Sequence, residues 1–261
     1  MSSELFLDDK WLKKIDREMQ VLFSNEGKDR KTLDEVFDKS TLDTLGKLIS
    51  DGVIDILDFP ISTGKEGNVF RGVTPDKKFV ALKIYRTSNA TFKHMSNYIM
   101  GDPRFKAVSK NRRDIVFEWT KKEYKNLQVL HKLGIKAPKP IKRINNVLVM
   151  EYIGDPNMPA PMLKDVVLKN PKEIFDILIN YVLKMYKKAD LVHGDLSMFN
   201  VLMHKNRPYI IDVGQSVIKE HPLAYEFLKR DIHNVVHYFK KYGIAANEEK
   251  IYTKITKHKL G

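Results

Sequence analysis

The stretch LVHGDLSMFNVLM, residues 191–203, sets apolar residues on both sides of a polar centre that holds His193, Asp195, Ser197 and Asn200. Apolar flanks of this kind suit short buried strands, with the polar centre on a tight loop between them. On such a loop an Asp and an Asn five positions apart can do two jobs. Asp195 can orient a hydroxyl or a water and accept its proton. Asn200 can offer a neutral oxygen to Mg2+ without repelling it from phosphate. An Asx-rich turn between a helix and a strand uses the same residue types, but seldom with so many polar groups converging between apolar flanks. A second carboxylate, Asp212 in YIIDVGQ (209–215), follows 17 residues after Asp195. It ends an apolar run, where a carboxylate can project into a cleft and hold a metal, or simply terminate a strand. The hairpin NVLMHKNRPYIIDVG, turning at Asn206-Arg207, is short enough to bring both carboxylates to one site.

Upstream, VALKIY (80–85) places Lys83 within an apolar strand pattern. Lysine is rarely buried unless paired. Its natural partners are phosphates and a carboxylate, and Glu123 in KKEYKNL, on the following helix, is the best placed. The plainer alternative is an edge-strand lysine that snorkels to solvent; the V-A-x-K pattern after a glycine turn weighs against it. That turn is STGKEGNVF (62–70). Small residues let a backbone approach phosphates, and Ser62, Thr63 and Lys65 add hydroxyl and ammonium donors. Residues 62–66, with Gly64 and Glu66 included, are the candidate phosphate turn. Neither a Walker A motif nor the usual kinase glycine loop is matched, and a β-hairpin turn using Gly for its positive φ remains the alternative. The four segments stand in the order that a kinase phosphoryl-transfer site requires.

The rest of the chain frames these motifs. Leu5, Leu7, Trp11, Leu12, Ile15 and Met19 recur at helical spacing, and STLDTLGKLISDGVIDIL predicts a second helix, capped by Ser40 or Thr41 and stopped at Asp51-Gly52. Residues 1–54 are expected to be helical. Five strand patterns follow in 55–153, with one helix, FEWTKKEYKNLQVLHKLG, after the third and a hairpin at Asn145-Asn146. Residues 154–261 turn helical again, through IFDILINYVLKMYKKA and a last helix over about 222–242. A β-rich half followed by an α-rich half predicts an α+β, bilobal fold with a ligand cleft between the lobes.

Lys and Arg number 46 against 33 Asp and Glu, a net charge of +13. That balance attracts polyanions such as RNA, ATP or acidic proteins; it also serves plain solubility. The chain has no cysteine, which excludes disulfides, thiolate metal sites and a cysteine nucleophile and fits a cytoplasmic setting. No run of 18 apolar residues occurs, so no membrane span is expected. The opening MSSELFLDDKWLKKID mixes charge into every turn and does not read as a signal peptide.

Taken together, STGKEGNVF, HGDLSMFN and IDVGQ resemble the motifs of the RIO family of atypical serine/threonine protein kinases, over about residues 61–242. IDVGQ is similar to the type-1 branch, since the type-2 branch typically has Pro in place of Gly214. The resemblance implies a protein-kinase-like fold with a truncated C-lobe, a family domain over about 55–245, and ATP with Mg2+, or Mn2+ as an alternative. It implies that Lys83 contacts the phosphates and pairs with Glu123. Met150 would border the adenine pocket, and Glu151 and Ile153 would offer backbone hydrogen bonds to the base. Asp195 would be the acid–base residue, Asn200 and Asp212 the metal ligands, and Asp212 also a phosphate acceptor. The implied biology is maturation of the small ribosomal subunit, with the precursor particle and its RNA as partners. Basic clusters at 110–113, Lys121-Lys122 and 136–143 are read as RNA-phosphate contacts.

Departures from ordinary kinases are visible too. Gly194 stands where Arg is usual and Val213 where Phe is usual. No A-P-E follows, and only 49 residues remain after Asp212, too few for an activation segment and peptide-binding helices. The 40 positions from Lys83 to Glu123 are long for one crossing, so 86–113 is read as an insertion, expected to be mobile without ATP. Rival readings are an ATP-driven, RNA-binding assembly factor, an aminoglycoside or choline kinase relative, and a pseudokinase scaffold. The motifs around Gly64 and Gly214 argue against the second, and the intact Lys83, Asp195, Asn200 and Asp212 against the third.

Overall fold

Strands β1 (Ile56–Thr63), β2 (Gly67–Val73), β3 (Phe79–Tyr85), β4 (Pro140–Ile144) and β5 (Val147–Glu151) form one antiparallel sheet in the order β1-β2-β3-β5-β4. The structure is a computed structural model that describes residues 37–64, 66–87, 95, 98–99, 102–105 and 111–257. The helix expected over Leu5–Met19, the candidate site residue Lys65 and much of the 86–113 insertion lie outside the described residues.

Period-two alternation explains how β3 buries both faces. Val80, Leu82 and Ile84 point to one side, into a core shared with Leu45 and Leu48 of helix α1 (Lys39–Ser50). Ala81 points to the other side, toward Leu127 and Leu130 of helix α2 (Arg112–Lys132). Lys83 shares the face of Ala81, which is why a lysine in an apolar strand is turned to the interior. Each fully buried Leu contributes roughly 1.5–3 kcal/mol relative to exposure. The cap of α1 is Asp38, whose carboxylate accepts the Thr41 N–H at 2.8 Å, rather than Ser40 or Thr41. An acceptor placed just ahead of the first turn outcompetes hydroxyls already inside it. The hairpin at Asn145-Asn146 is tied to α1: Asn146 donates to Thr41 Oγ1 and Tyr85 C=O, each at 2.9 Å.

Below the sheet, a linker with the short pair β6 (Gly154–Asp155) and β7 (Met158–Pro159) leads to helix α3 (Pro171–Ala189), which has Pro at its first position. Strand β8 (Leu191–Val192), the hairpin β9 (Val201–His204) and β10 (Arg207–Ile210), a 3-10 turn (Val213–Gln215) and β11 (Val217–Ile218) follow. The hairpin turns at Lys205-Asn206, both at positive φ (50° and 58°), one residue earlier than expected; Arg207 already pairs with His204. Two left-handed residues match the twist of the flanking strands. Helix α4 (Ala224–Lys240) replaces the longer helix expected over 222–242, and a further helix, α5 (Glu248–Lys257), was not anticipated. Only Ile255 of α5 is buried, so its apolar signal is thin.

Within the insertion, Met95, Ile99 and Asp102 are buried, whereas Pro103, Arg104 and residues 111–113 are exposed. Met95 and Ile99 are buried with Tyr85, Ile115, Val116 and Trp119. Lys122 is fully buried beneath Trp119 and Tyr98, its Nζ 5.1 and 5.9 Å from their ring centres, so Lys121-Lys122 is not a surface cluster. Burial pushes its pKa down to about 7.

Candidate active site

A cleft of about 550 Å³ separates the sheet from the helical half. Ile61, Val69 and Ala81 line it from the sheet, and Leu202, Ile211 and Met162 from the other half; Met150 stands at the back. Two apolar walls with few polar groups suit a flat ring system. The connection after Met150 also borders it through Glu151 and Ile153. Glu151 N–H is taken by Lys139 C=O (2.8 Å), and Ile153 C=O accepts from Ala160 N–H (2.9 Å).

The polar end is built around Lys83. Its Nζ lies 2.9 and 3.0 Å from the two oxygens of Glu123 and 2.7 Å from Asp212 Oδ1. Burial alone would lower the pKa of this ammonium, but the Asp212 and Glu123 carboxylates outweigh it and hold Lys83 above its ordinary range. Glu123 is 1% exposed, and burial pushes its carboxyl up to about 7 even against the pull of Lys83.

Asn200 Nδ2 donates to both the carbonyl and the carboxylate of Asp195, at 2.8 and 2.9 Å. Both bonds use the amide nitrogen, which leaves Oδ1 as the acceptor end. A backbone bond from Ile211 N–H to Asn200 C=O (3.0 Å) sets Asn200 beside Asp212. Asn200 and Asp212 line the cleft, and Asp195 stands just outside its lining. Among the described residues no group of three or more His, Cys, Asp or Glu could hold a metal unaided. A pair of oxygen ligands, Asn200 and Asp212, fits a hard cation that takes its other ligands from phosphate and water.

The glycine turn fits its expected part less well. Ser62 lines the cleft, but Thr63 and Gly64 do not, and Glu66 contributes its C=O to Arg86 N–H (2.9 Å). Gly67 is required by the sheet: a Cβ there would sit 2.3 Å from Ile84 O. The hairpin alternative holds, since β1 and β2 pair antiparallel across this turn and Gly64 N–H donates to Gly67 C=O at 3.0 Å, but neither glycine has the positive φ it supposed. Close approach of two strands left the same glycine signature.

Several residues that sequence reasoning passed over hold the site in place. Asp231 on α4 is fully buried and accepts Gly194 N–H (2.9 Å) and Leu196 N–H (2.8 Å), gripping the loop on both sides of Asp195. Burial pushes its carboxyl up to about 7 despite those two donors. An acidic residue in the apolar stripe of α4 was the available signal. Gly194 has φ +82° and faces Gln215 O, 3.0 Å from where a Cβ would be, so the Arg usual in kinases has no room. His193 is buried, with Nε2 3.2 Å from Ile211 O and Nδ1 3.3 Å from Asp195 N. This is the neutral tautomer with Nε2 donating, and burial takes its pKa down to about 4. Asn126, one turn after Glu123, donates to Val213 C=O at 2.8 Å. Asp212 itself is left-handed, φ 63° and ψ 53°, a conformation uncommon outside glycine.

A five-strand lobe over a helical one, with a buried Lys–Glu pair above a loop Asp, an Asn and a second Asp, defines a protein-kinase-like fold. A family model described as RIO domain matches residues 68–251. The RIO-type serine/threonine-protein kinase Rio1 of Haloferax volcanii is 41% identical over 221 residues, 85% of this chain and 76% of that protein. Rio1 of Methanocaldococcus jannaschii is 40% identical over 93% of this chain and 84% of its own length. Human RIO1 is 42% identical over 83% of this chain, which spans 39% of that longer protein. The Rio2 kinase from Chaetomium thermophilum superimposes with a TM-score of 0.67 at 21% identity, over 82% of this chain and 66% of that one. The chain belongs to the RIO family of atypical serine/threonine protein kinases, in its Rio1 branch. Such a kinase takes ATP and a divalent metal.

Proposed function

We propose that the chain transfers the γ-phosphoryl group of ATP, with Mg2+ as the metal, to a serine or threonine hydroxyl, its own included, and hydrolyses ATP when water takes that place. The observation that carries this reading is the Lys83 ammonium held between Glu123 and Asp212 at the polar end of an apolar slot. The base lies between Ala81 and Leu202, with Glu151 C=O and Ile153 N–H along its edge. Lys83 binds the phosphates. Asn200 and Asp212 hold the cation, which neutralises phosphate charge when bound. Asp195 accepts the acceptor hydroxyl's proton as its oxygen bonds to the γ-phosphorus and the bond to the bridging oxygen breaks, releasing ADP. Residues 55–153 act as the N-lobe and 154–261 as the C-lobe.

A Rio2 structure holds ADP, Mg2+ and a phosphoaspartate. On that precedent Asp212 is also the residue to accept phosphate here. The biological setting we propose is the precursor of the small ribosomal subunit, as the resemblance implies. The exposed Lys136, Lys139 and Lys142, the first two of them lining a second cavity behind the connection of about 820 Å³, favour contact with RNA phosphates and an ATPase that drives release. Incubation with γ-labelled ATP and Mg2+, with and without precursor subunits, separates the outcomes. Acid-stable label on protein supports the kinase, hydroxylamine-labile label the phosphoaspartate, and free phosphate stimulated by the particle the ATPase. No label and no phosphate, with or without particles, rejects the reading.

A further inference from the structure

The segment between β3 and α2 contributes a side chain to the frame of the site. Arg104 lies in a 3-10 turn, Pro103–Phe105, and its guanidinium is aimed by a buried carboxylate. Nε is 2.9 Å from Asp102 Oδ1 and Nη2 2.6 Å from Oδ2, while Asp102 Oδ1 also accepts the Arg104 N–H at 3.1 Å. A planar fork engaged this way has its remaining N–H groups fixed in direction. One of them, on Nη1, reaches Asn126 Oδ1 at 3.1 Å. Another, on Nη2, reaches Ser216 C=O at 3.3 Å. Asn126 in turn donates to Val213 C=O at 2.8 Å.

These bonds bracket the turn that follows Asp212. Val213 is held through Asn126 at its start and Ser216 directly just past its end. On the α2 side the turn is stopped by Trp119, with no room for a Cβ on Gly214. Among the described residues the Lys122 amine also lies near Asp102, 4.0 Å from Oδ2, too far to replace the fork.

We propose that Arg104 is a positioning residue for Asp212, setting through Asn126 and Ser216 how tightly the site takes its divalent cation. This rests on the reading of Asp212 as a metal ligand. The proposal makes Asp102 and Arg104 part of the metal site's frame.

The test is Mn2+ binding to the full chain with a non-hydrolysable ATP analogue, followed by EPR, alongside the Mg2+ dependence of phosphoryl transfer. Loss of a group that orients a metal ligand typically weakens metal binding about 10–100-fold. Arg104→Ala is expected to raise the Mn2+ Kd within that range and the Mg2+ requirement in parallel, with adenosine affinity unchanged. Arg104→Lys keeps a charge beside Asp102 but cannot span Asn126 and Ser216. It is expected to show the same metal defect at a wild-type unfolding midpoint, and it decides the matter if Arg104→Ala fails to fold. Asp212→Asn is the reference. If Asp212→Asn weakens Mn2+ and neither Arg104 variant does, the proposal falls and the site reading stands. If Asp212→Asn leaves Mn2+ binding unchanged, the site reading falls and takes the proposal with it. Equal losses of adenosine and Mn2+ affinity in Arg104→Lys would mark a merely structural residue.

Discussion

The indole of Trp119 occupies the space that a side chain on Gly214 would need: a Cβ there would stand 2.7 Å from Nε1 and 2.9 Å from Cε2. Trp119, Glu123 and Asn126 fall on one face of α2, at i, i+4 and i+7. One helix thus touches Gly214, pairs with Lys83 and bonds Val213. Gly214→Ala overpacks this contact and is expected to cost about 1–3 kcal/mol in denaturant unfolding. Trp119→Phe in the same chain should recover part of that cost, read as a coupling in a double-mutant cycle. Additive effects would show that the two residues do not press on each other.

Lys83→Met removes the charge shared by Glu123 and Asp212. Calorimetry is expected to show Mg-ATP affinity weakened by roughly 1.5–3 kcal/mol, the worth of a charge-assisted contact. Unchanged affinity would remove Lys83 from the nucleotide site.

Asp195→Ala is expected to lower turnover by ~10²–10⁴ with little change in ATP affinity, because a proton acceptor acts in the transition state. Its carboxylate accepts from Asn200 Nδ2 at 2.9 Å. A loss of affinity as large as the loss of rate would make Asp195 a binding or folding residue.

His193 gives a pH signature. Its folded pKa is about 4 against an ordinary 6.5, so in that window the unfolded chain binds the extra proton. Its contribution is complete above pH 6.5 and is lost as pH falls toward 4, by up to roughly 3 kcal/mol. Asp231 and Glu123, both raised to about 7, act oppositely: their contribution is complete at low pH and is lost as pH rises toward 7. The comparison is therefore with His193→Asn. The stability gap between the two proteins should narrow as pH falls from 6.5 to 4; a gap independent of pH would contradict the buried neutral ring.

Much of this was written in local patterns. Apolar runs broken by turn residues marked the sheet, and the loop between apolar flanks marked Asp195 and Asn200. Lys83 was legible because a lysine inside a strand needs a partner. What stayed hidden was long-range: Asp231 reaches back 37 residues to Gly194, and Arg104 reaches 112 residues on to Ser216. A polar residue in a helix stripe says that it has a partner without saying which. Gly67 misled because strand crowding and phosphate approach leave the same residue. Lys122 misled because a lysine pair looks alike in sequence whether or not one member is enclosed by rings.

The bond from Lys83 to Asp212 gives the site an order of arrival. An ammonium 2.7 Å from the carboxylate is a resident counter-ion, standing where the proposed function puts a divalent charge. A bare cation entering from solution meets like charge and gains little. On the proposed reading phosphates reverse this, since they draw Lys83 toward themselves and loosen its hold on Asp212. Metal and nucleotide then each improve the other's binding by the same factor, as linkage requires. The same ammonium lies between Glu123 and Asp212 and offsets their repulsion, so on the proposed reading one side chain both ties two carboxylates together and yields its place to the incoming charge.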